Sequence, residues 1–382
     1  MRSLVVFTRA GAAAAGKQKL STVTLDEIPL ATSIFRTPPP LFHDQDQRNT
    51  TKVLIKVRAF SCNYRDQSLI FAAASRAEAA YYTIGSEFSG EVISIGSAVT
   101  SLKPGDRVIA NAAYDGTDLG GLVSSNKGVP SNHSSAEFQV FDQQYLVRIP
   151  DTMSWVQGAA FTVGAQTSFG MVRRLDPKPG TTALVTAGRS NTSLFTIHAL
   201  HRRGVRVSVL STSKQHMAQL QQMGVENVFS PDLNSQKFTP EEPVVQYARR
   251  IGGFDNIFDP FFDIYLSRVV ILLRAGGSYV TCGLYNQYQE ALGLPLPAVT
   301  SNYRDALSHV LMNNLRLQGN CLGSLDDLLL ALNAFKEDPS MVPIDSVWSG
   351  EECGDFLLRT YASRERFGKV VFTYLDEDLR SA

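Results

Sequence analysis

Small polar residues stand between a predicted strand and a predicted helix in the segment VTAGRSNTSLFTIHALHRRG, residues 185–204. The free N–H groups at a helix start attract phosphate, and dinucleotide-binding proteins place glycines at such a turn to let the pyrophosphate approach the backbone. Glycine eases the approach but does not supply the attraction. This turn has one glycine followed by polar residues: Gly188, Arg189, Ser190, Asn191, Thr192 and Ser193.

The spacing of this turn therefore predicts a phosphate-binding site made largely without glycine. We expect Ser193 to face the ligand and not the core. In the alternative, the hydroxyls of Ser190 and Thr192 only cap the helix and bind no ligand. The sequence pattern by itself leaves both possibilities open.

A second polar cluster, Ser211-Thr212-Ser213-Lys214, follows the next predicted strand, roughly 20 residues after Gly188. A carboxylate at this place would bind the ribose 2′-hydroxyl of NAD, whereas hydroxyls and a lysine suit the 2′-phosphate of NADP. We therefore predict NADPH as the cofactor, with Ser211, Ser213 and Lys214 as phosphate contacts. Ser213 can also cap the following helix, and the two roles are compatible.

Strand and helix patterns around these clusters predict an α/β fold with a doubly wound parallel sheet and a β-rich domain. Strand-like segments such as KVLIKVRAF dominate residues 1–154, and from about residue 155 short strands alternate with helices. Beyond residue 320 the strand-rich style returns and ends in FGKVVFTYL. We therefore predict that the cofactor domain, 155–320, is inserted between two parts of the β-rich domain, 1–154 and 321–382.

Composition narrows the classes of partner and location. The chain of 382 residues has 36 Lys and Arg against 36 Asp and Glu, which favours neither nucleic acid nor an anionic membrane. Its four cysteines form no CxxC pair, as expected in a reducing compartment. The apolar run near the N-terminus is short and predicts a strand, not a signal peptide. We expect a cytoplasmic enzyme with a small-molecule substrate.

Seven segments resemble one family in order and spacing over essentially the whole chain. The family is the medium-chain dehydrogenase/reductase superfamily, in its zinc-free quinone oxidoreductase and enoyl reductase branch. The segments are NYRD (63–66), GSEFSGEVISIGSAVTSLKPGDRV (85–108), AAFTVGAQTSF (159–169), ALVTAGRSNTSLF (183–195), FDNIFDPFFDIYL (254–266), AGGSYVTCGLYN (275–286) and NNLRLQGNCLGS (313–324). The resemblance implies a GroES-like catalytic domain, a Rossmann domain and a homodimer. The last segment alternates leucines with polar residues, as an edge strand for such pairing would.

The resemblance also implies site residues. Zinc-dependent members would place metal ligands near Asn63, Ser86 and Thr162, none of which suits zinc here, so no metal is expected. Tyr64 resembles the family's active-site tyrosine, which could protonate the α-carbon, hold the carbonyl or only form an aromatic wall of the pocket. With Asn63 and Arg65, which is either a substrate-facing cation or a surface charge, it makes up the predicted catalytic set. Further cofactor contacts are implied at Thr162, Thr167, Asp259, Pro260, Gly283, Leu284, Tyr285, Cys321 and Leu322.

Without a metal, alcohol oxidation lacks its Lewis acid, and the expected reaction is hydride delivery to a polarised C=C bond of an enone, quinone or enoyl thioester. One alternative is a metal-free carbonyl reductase or alcohol dehydrogenase. Another is a non-catalytic structural or binding relative with a weakened cofactor site. The substrate itself is expected to depend on the idiosyncratic segments 112–133 and 285–305.

Overall fold

The computed structural model describes residues 1–15, 20–75, 79–112, 131–232, 237–285 and 303–374. Most of segments 112–133 and 285–305, which the sequence predicts to shape the substrate pocket, lie outside these ranges. No helix within the described ranges is long and apolar enough to cross a lipid bilayer.

The β-rich part of the chain consists of two sheets. Its strands are β1 (Arg2–Phe7), β2 (Ser21–Leu25), β3 (Ile28–Arg36), β4 (Lys52–Ser61), β5 (Tyr81–Thr83), β6 (Glu87–Ile95), β7 (Arg107–Ala110), β8 (Phe138–Asp142) and β9 (Leu146–Arg148). Two later strands, β16 (Ile344–Ser349) and β17 (Lys369–Thr373), join them. One sheet has the order β2-β3-β1-β5, and the other has the order β16-β17-β4-β6-β7-β9 with β8 paired to β4.

The remaining strands form one parallel sheet. They are β10 (Thr182–Val185), β11 (Arg206–Leu210), β12 (Val225–Phe229), β13 (Phe254–Asp259), β14 (Leu273–Thr281) and β15 (Arg316–Gly319). Their order is β12-β11-β10-β13-β14-β15, and every neighbouring pair is parallel. The predicted α/β class, with a β-rich domain beside a doubly wound sheet, is confirmed. Strand β15 lies at an edge of this sheet, as the alternating leucines predict.

The helices of the described residues connect and cover these sheets. They are α1 (Arg9–Ala14), α2 (Tyr64–Ser75), α3 (Trp155–Gly158), α4 (Thr162–Leu175), α5 (Asn191–Arg202), α6 (Met217–Gln222), α7 (Pro243–Ile251), α8 (Phe262–Val269), α9 (Tyr303–Met312), α10 (Leu325–Glu337) and α11 (Cys353–Tyr361). In α5, Leu194, Ile197 and Leu200 are fully buried on one face, as their spacing predicts. Gly204 ends the connection with a positive φ of 69°.

Two helix predictions differ from the structure. The sequence predicts one helix over residues 155–175, but α3 and α4 are separate because the chain turns between the two domains at 159–161, where Phe161 packs against Phe195. The sequence also predicts a helix through 265–277, whereas α8 ends at Val269 and Leu273 already pairs with β13. A continuous apolar run does not distinguish a buried helix from a buried strand.

A buried carboxylate at the end of β13 ties the centre of the parallel sheet together. Asp259 is fully buried and accepts hydrogen bonds from the Thr186 hydroxyl (2.6 Å), the Tyr279 hydroxyl and the Phe261 amide (2.9 Å). Burial raises the pKa of Asp259 to about 6, against the effect of these hydrogen bonds. Its partners follow β10 and β13 and lie within β14, so the carboxyl group connects three adjacent strands.

This carboxyl group predicts a pH dependence of stability. The folded protein keeps the Asp259 proton between about pH 4 and pH 6 while the unfolded chain releases it, so stability falls as the pH rises through that window. In the Asp259→Asn variant, which does not ionise, we expect this loss of up to about 3 kcal/mol to be absent. Denaturant unfolding of both proteins from pH 4 to pH 7 measures it; parallel pH profiles would contradict the assignment.

Candidate functional site

A cavity of about 290 Å³ lies where the carboxyl ends of the parallel strands face the β-rich domain. Ligands of doubly wound sheets bind at this edge, beside the strand where the order reverses. The cavity brings together twelve of the sequence-predicted site residues: Asn63, Tyr64, Arg65, Thr167, Ser190, Asn191, Thr192, Pro260, Gly283, Leu284, Cys321 and Leu322. It adds residues that the sequence analysis did not select, among them Phe261, Arg366 and Lys369.

The glycine-poor turn directs its polar side chains inward. Ser190 caps α5 by accepting from the Ser193 amide (3.1 Å). Ser193 is 1% exposed and donates to the Thr186 carbonyl (2.7 Å), while Asn191 donates to the Ala160 carbonyl (2.9 Å). The expectation that Ser193 faces a ligand is therefore wrong: its hydroxyl stabilises the turn from inside.

The inward orientation of these side chains leaves the start of α5 open toward the cavity. The α-helical hydrogen-bond ladder provides no acceptor for the first amides, here those of Asn191 and Thr192. The one glycine of the turn has a packing role, because a Cβ atom at Gly188 would lie 2.0 Å from Cγ1 of Val209 on β11. The turn thus meets the requirements of a phosphate-binding helix start without the other glycines.

The polar cluster after β11 is built differently from the expectation. The Ser211 hydroxyl is buried and donates to the Ser213 carbonyl (2.8 Å), and the Ser213 hydroxyl accepts from the Gln215 amide (3.1 Å). Lys214 is exposed. Arg189 reaches the same turn and donates to the Thr212 hydroxyl (2.7 Å). The groups able to hold an added phosphate here are thus Arg189, Lys214 and Thr212; the hydroxyl of Ser211 is already engaged within the turn.

A buried ion pair forms the floor of the cavity on the side of the β-rich domain. Lys369, at the start of β17, is 4% exposed and its ammonium contacts the fully buried Glu87 carboxylate of β6. The same ammonium donates to Oδ1 of Asn63 (2.6 Å). The other oxygen of Glu87 accepts from the amide of Val163 in α4 (2.9 Å). One charge pair therefore connects two strands, the helix that links the domains, and a cavity residue.

Asn63 is held from its other side as well. Its Nδ2 donates to the Ser86 hydroxyl (2.8 Å), which in turn donates to the Asp66 carboxylate (2.6 Å). The same carboxylate accepts from the backbone amide of Asn63 (2.8 Å), so Asp66 also holds the local backbone. Burial raises the pKa of Asp66. The side-chain amide of Asn63 is consequently fixed in one orientation.

Tyr64, the first residue of α2, contacts the parallel-sheet domain through aromatic rings. Its ring centroid lies 5.1 Å from that of Phe261 and 5.3 Å from that of Tyr285. The Arg366 guanidinium carbon lies 5.3 Å from the centroid of the Tyr64 ring. Arg65 instead donates to Asp66 (3.1 Å) and to Asn132 (2.9 Å), at the outer side of the cavity.

Parts of the chain are similar in sequence to known proteins. The family model for the alcohol dehydrogenase GroES-like domain matches residues 49–151. Over 204 residues the chain is 30% identical to quinone oxidoreductase-like protein 2 of Rattus norvegicus. The aligned region covers 52% of this chain and 53% of the relative. Over 233 residues the chain is 25% identical to quinone oxidoreductase of Mus musculus, covering 61% and 64% respectively. The matches thus span about half to two thirds of these relatives.

These matches support the medium-chain dehydrogenase/reductase superfamily. The relatives support its quinone oxidoreductase and enoyl reductase branch, as the sequence motifs predict. The solved structure of the quinone oxidoreductase from Coxiella burnetii agrees in fold, with a TM-score of 0.66 at 18% identity over 98% of this chain and 100% of that one.

The positions that carry zinc ligands in metal-dependent members of the superfamily hold other chemistry here. Asn63 and Ser86 are bound to each other, and the buried Thr162 hydroxyl donates to the Ala110 carbonyl (2.8 Å). Within the described ranges no group of three or more His, Cys, Asp or Glu side chains could hold a metal ion. Burial raises the pKa of the cavity thiols Cys62 and Cys282, so they stay protonated near neutral pH.

Some predicted cofactor contacts lie outside the cavity lining, and some cavity residues were missed. Thr162, Gly188, Ser193 and Asp259 are buried behind the cavity wall, with their polar groups or backbone engaged in the protein. The sequence analysis does not predict Lys369, because FGKVVFTYL indicates only a strand, and no motif marks Arg366, which precedes that segment. The lysine that begins an otherwise apolar, buried strand was the available signal.

The inward orientation of Ser193 predicts a stability defect where the sequence predicted a binding defect. Ser193→Val removes the hydrogen bond to the Thr186 carbonyl and adds volume to a buried turn, which we expect to cost about 1–3 kcal/mol of folding free energy. Denaturant unfolding measures this loss. Ser193→Ala, which removes the bond without added volume, serves as the control and is expected to lose less. Wild-type stability in Ser193→Val would contradict the buried placement.

Proposed function

We propose that this protein is an NADPH-dependent, zinc-independent oxidoreductase that reduces an activated C=C bond by hydride transfer. The observation that carries the proposal is the cavity in which the open start of α5 faces Asn63, Tyr64 and Lys369. A phosphate-binding helix start and a set of polar, protic side chains thus share one enclosed space between two domains. The substrates that fit this chemistry are enones, quinones and enoyl thioesters.

The residues present suit a nicotinamide dinucleotide. The amides of Asn191 and Thr192 would bind the pyrophosphate, and Arg189 and Lys214 would bind the 2′-phosphate that distinguishes NADPH. The remaining predicted contacts at the cavity wall would surround the nicotinamide: Thr167, Pro260, Gly283, Leu284, Cys321 and Leu322. When bound, the cofactor supplies the hydride.

The chain's own residues would bind and protonate the substrate. Tyr64 lies at the junction of the two domains, where its hydroxyl can deliver a proton to the α-carbon of the reduced substrate. The apolar lining residues Val163, Phe261 and Leu322 exclude water, which strengthens hydrogen bonds and charges inside the cavity. Asn63 and Arg65, which are held by hydrogen bonds within the protein, would form polar parts of the cavity wall beside the substrate.

Zinc independence is supported by the donor chemistry of the cavity floor. Zinc binds thiolate, imidazole and carboxylate, whereas Asn63, Ser86 and Thr162 offer an amide and two hydroxyls. The Lys369 ammonium lies within hydrogen-bond distance of Asn63 and would repel a divalent cation there.

We also propose a homodimer in the cytoplasm. Strand β15 is an edge strand on which Leu317 is 38% exposed, and in this superfamily sheets commonly pair near this segment across a two-fold axis. A monomer found by light scattering at micromolar concentration would contradict the dimer. The dispersed cysteines and balanced charge support a cytoplasmic small-molecule enzyme.

Turnover tests the reaction class. With NADPH and a panel of one cyclic enone, one benzoquinone and one enoyl thioester, we expect NADPH oxidation with at least one substrate, unchanged after dialysis against EDTA. Tyr64→Phe should lower kcat by about 10²–10⁴-fold, with Tyr145→Phe, whose half-buried ring lies outside the cavity lining, as the control. An allylic alcohol product would favour the metal-free carbonyl reductase. Loss of activity with EDTA would contradict zinc independence, and NADPH binding without any turnover would favour the binding relative.

Cofactor choice is tested by affinity. We expect NADPH to bind at least about tenfold tighter than NADH, a difference of about 1.4 kcal/mol. Lys214→Ala and Arg189→Ala should weaken NADPH binding and leave NADH nearly unchanged, because both side chains reach the turn after β11. Lys178→Ala, an exposed lysine elsewhere, is the matched control. Equal affinity of the wild type for the two cofactors, measured by fluorescence titration, would contradict the assignment.

A further inference from the structure

Reduction of a conjugated C=C bond places negative charge on a carbonyl oxygen, and a zinc-free cavity must stabilise that charge by other means. Among the residues that the structure describes, three cationic side chains line the cavity: Arg65, Arg366 and Lys369. Arg65 is engaged by Asp66 and Asn132, and Arg366 donates to the Thr360 carbonyl and lies over the Tyr64 ring. Lys369 is the most buried of the three and therefore acts in the least polar surroundings.

The contacts of Lys369 fix its ammonium in place. An ammonium group has three protons, and two acceptors surround this one, Oε1 of Glu87 and Oδ1 of Asn63. Glu87 is itself held by the Val163 amide and by the Ser61 hydroxyl (3.1 Å). This leaves one proton for a group in the cavity that Lys369 lines. Such a preorganised donor needs no rearrangement as charge develops on a bound substrate.

A purely structural role explains this ion pair poorly. Taking two charges out of water is expensive, and apolar residues of similar volume often give equal or greater stability. Glu87 and Lys369 are 0% and 4% exposed, so both charges bear this cost. Lys369 lies at the wall of a cavity that also contains Tyr64 and the start of α5, so its charge can act on a molecule bound there.

We propose that Lys369 is a catalytic residue whose ammonium donates a hydrogen bond to the carbonyl oxygen of the bound substrate. The inference rests on the proposed C=C reduction. Hydride adds to the β-carbon, the C=C electron pair shifts toward the α-carbon and the C=O pair moves onto oxygen, giving an enolate. Lys369 keeps its proton and holds the enolate oxygen. Tyr64 then delivers a proton to the α-carbon, the C=O bond re-forms, and water returns the proton to Tyr64.

The first test needs no turnover. Cyclohexanone has no C=C bond to reduce, and its carbonyl stretch moves to lower frequency when a cation donates to the oxygen. Infrared difference spectra of bound carbonyl-labelled cyclohexanone should show this shift in the wild type, in Lys369→Arg to a smaller extent, and not in Lys369→Met. Lys336→Met, an exposed lysine on α10, is the matched control. An equal shift in wild type and Lys369→Met would overturn the proposal.

The second test separates chemistry from folding. With 2-cyclohexenone, Lys369→Met should lower kcat by about 10²–10³-fold, the scale of a lost oxyanion donor, while the Kd of NADPH stays within about twofold. Lys369→Met leaves Glu87 buried without its partner, so the double variant Glu87→Gln/Lys369→Met, which removes both charges, should recover thermal stability but not kcat. Recovery of both together would show that Lys369 is only structural. Partial rescue of kcat by Lys369→Arg is expected.

The two tests also distinguish this proposal from the proposed function. A wild-type protein that reduces no enone, quinone or thioester would contradict C=C reduction, yet the infrared shift would still report whether Lys369 donates to a carbonyl. A wild-type enzyme that turns over while Lys369→Met keeps its full kcat would overturn only the role of Lys369.

Discussion

The buried ion pair between Glu87 and Lys369 is the interaction on which the arrangement of the cleft depends. It joins β6 to β17 across the sheet of the β-rich domain and reaches the start of α4 through the Val163 amide. It also fixes Asn63, which lines the cavity. Because unpaired charges are costly in a protein interior, neither partner can leave without disturbing the other. The positions of both domains around the cavity are thus linked to one charge pair.

A second constraint concerns the turn that begins α5. Polar side chains replace the family's glycines, and they are accommodated because they point inward. Asn191 binds the Ala160 carbonyl between α3 and α4, and a Cβ atom at Gly164 would lie 2.5 Å from its Nδ2. The glycine missing from the turn is therefore matched by a required glycine on the neighbouring helix. The open helix start and the connection between the domains therefore depend on the same packed residues.

The cavity combines a buried cation with aromatic side chains from both domains. Medium-chain enzymes with zinc polarise a substrate oxygen with a divalent cation, whereas this chain has a protein cation near the corresponding ligand positions. Aromatic rings on both domains, those of Tyr64, Phe261 and Tyr285, pack against one another at the junction beside the cavity. Exclusion of water by these rings would strengthen the ammonium's hydrogen bonds, so aromatic packing and charge act together.

The sequence by itself determined the type and order of most elements and the family that they resemble. Period-two and period-three apolar patterns predicted β4 and α5, the alternation of strands and helices predicted the parallel sheet, and the motif order predicted the superfamily. The sequence did not reveal that Ser193 points inward, because a hydroxyl binds a ligand or a neighbouring carbonyl equally well. It also did not reveal Lys369, whose partner Asn63 is 306 positions away. Periodicity reports which face of an element is buried, but which polar groups meet is decided only when distant strands pair and satisfy each other's charges.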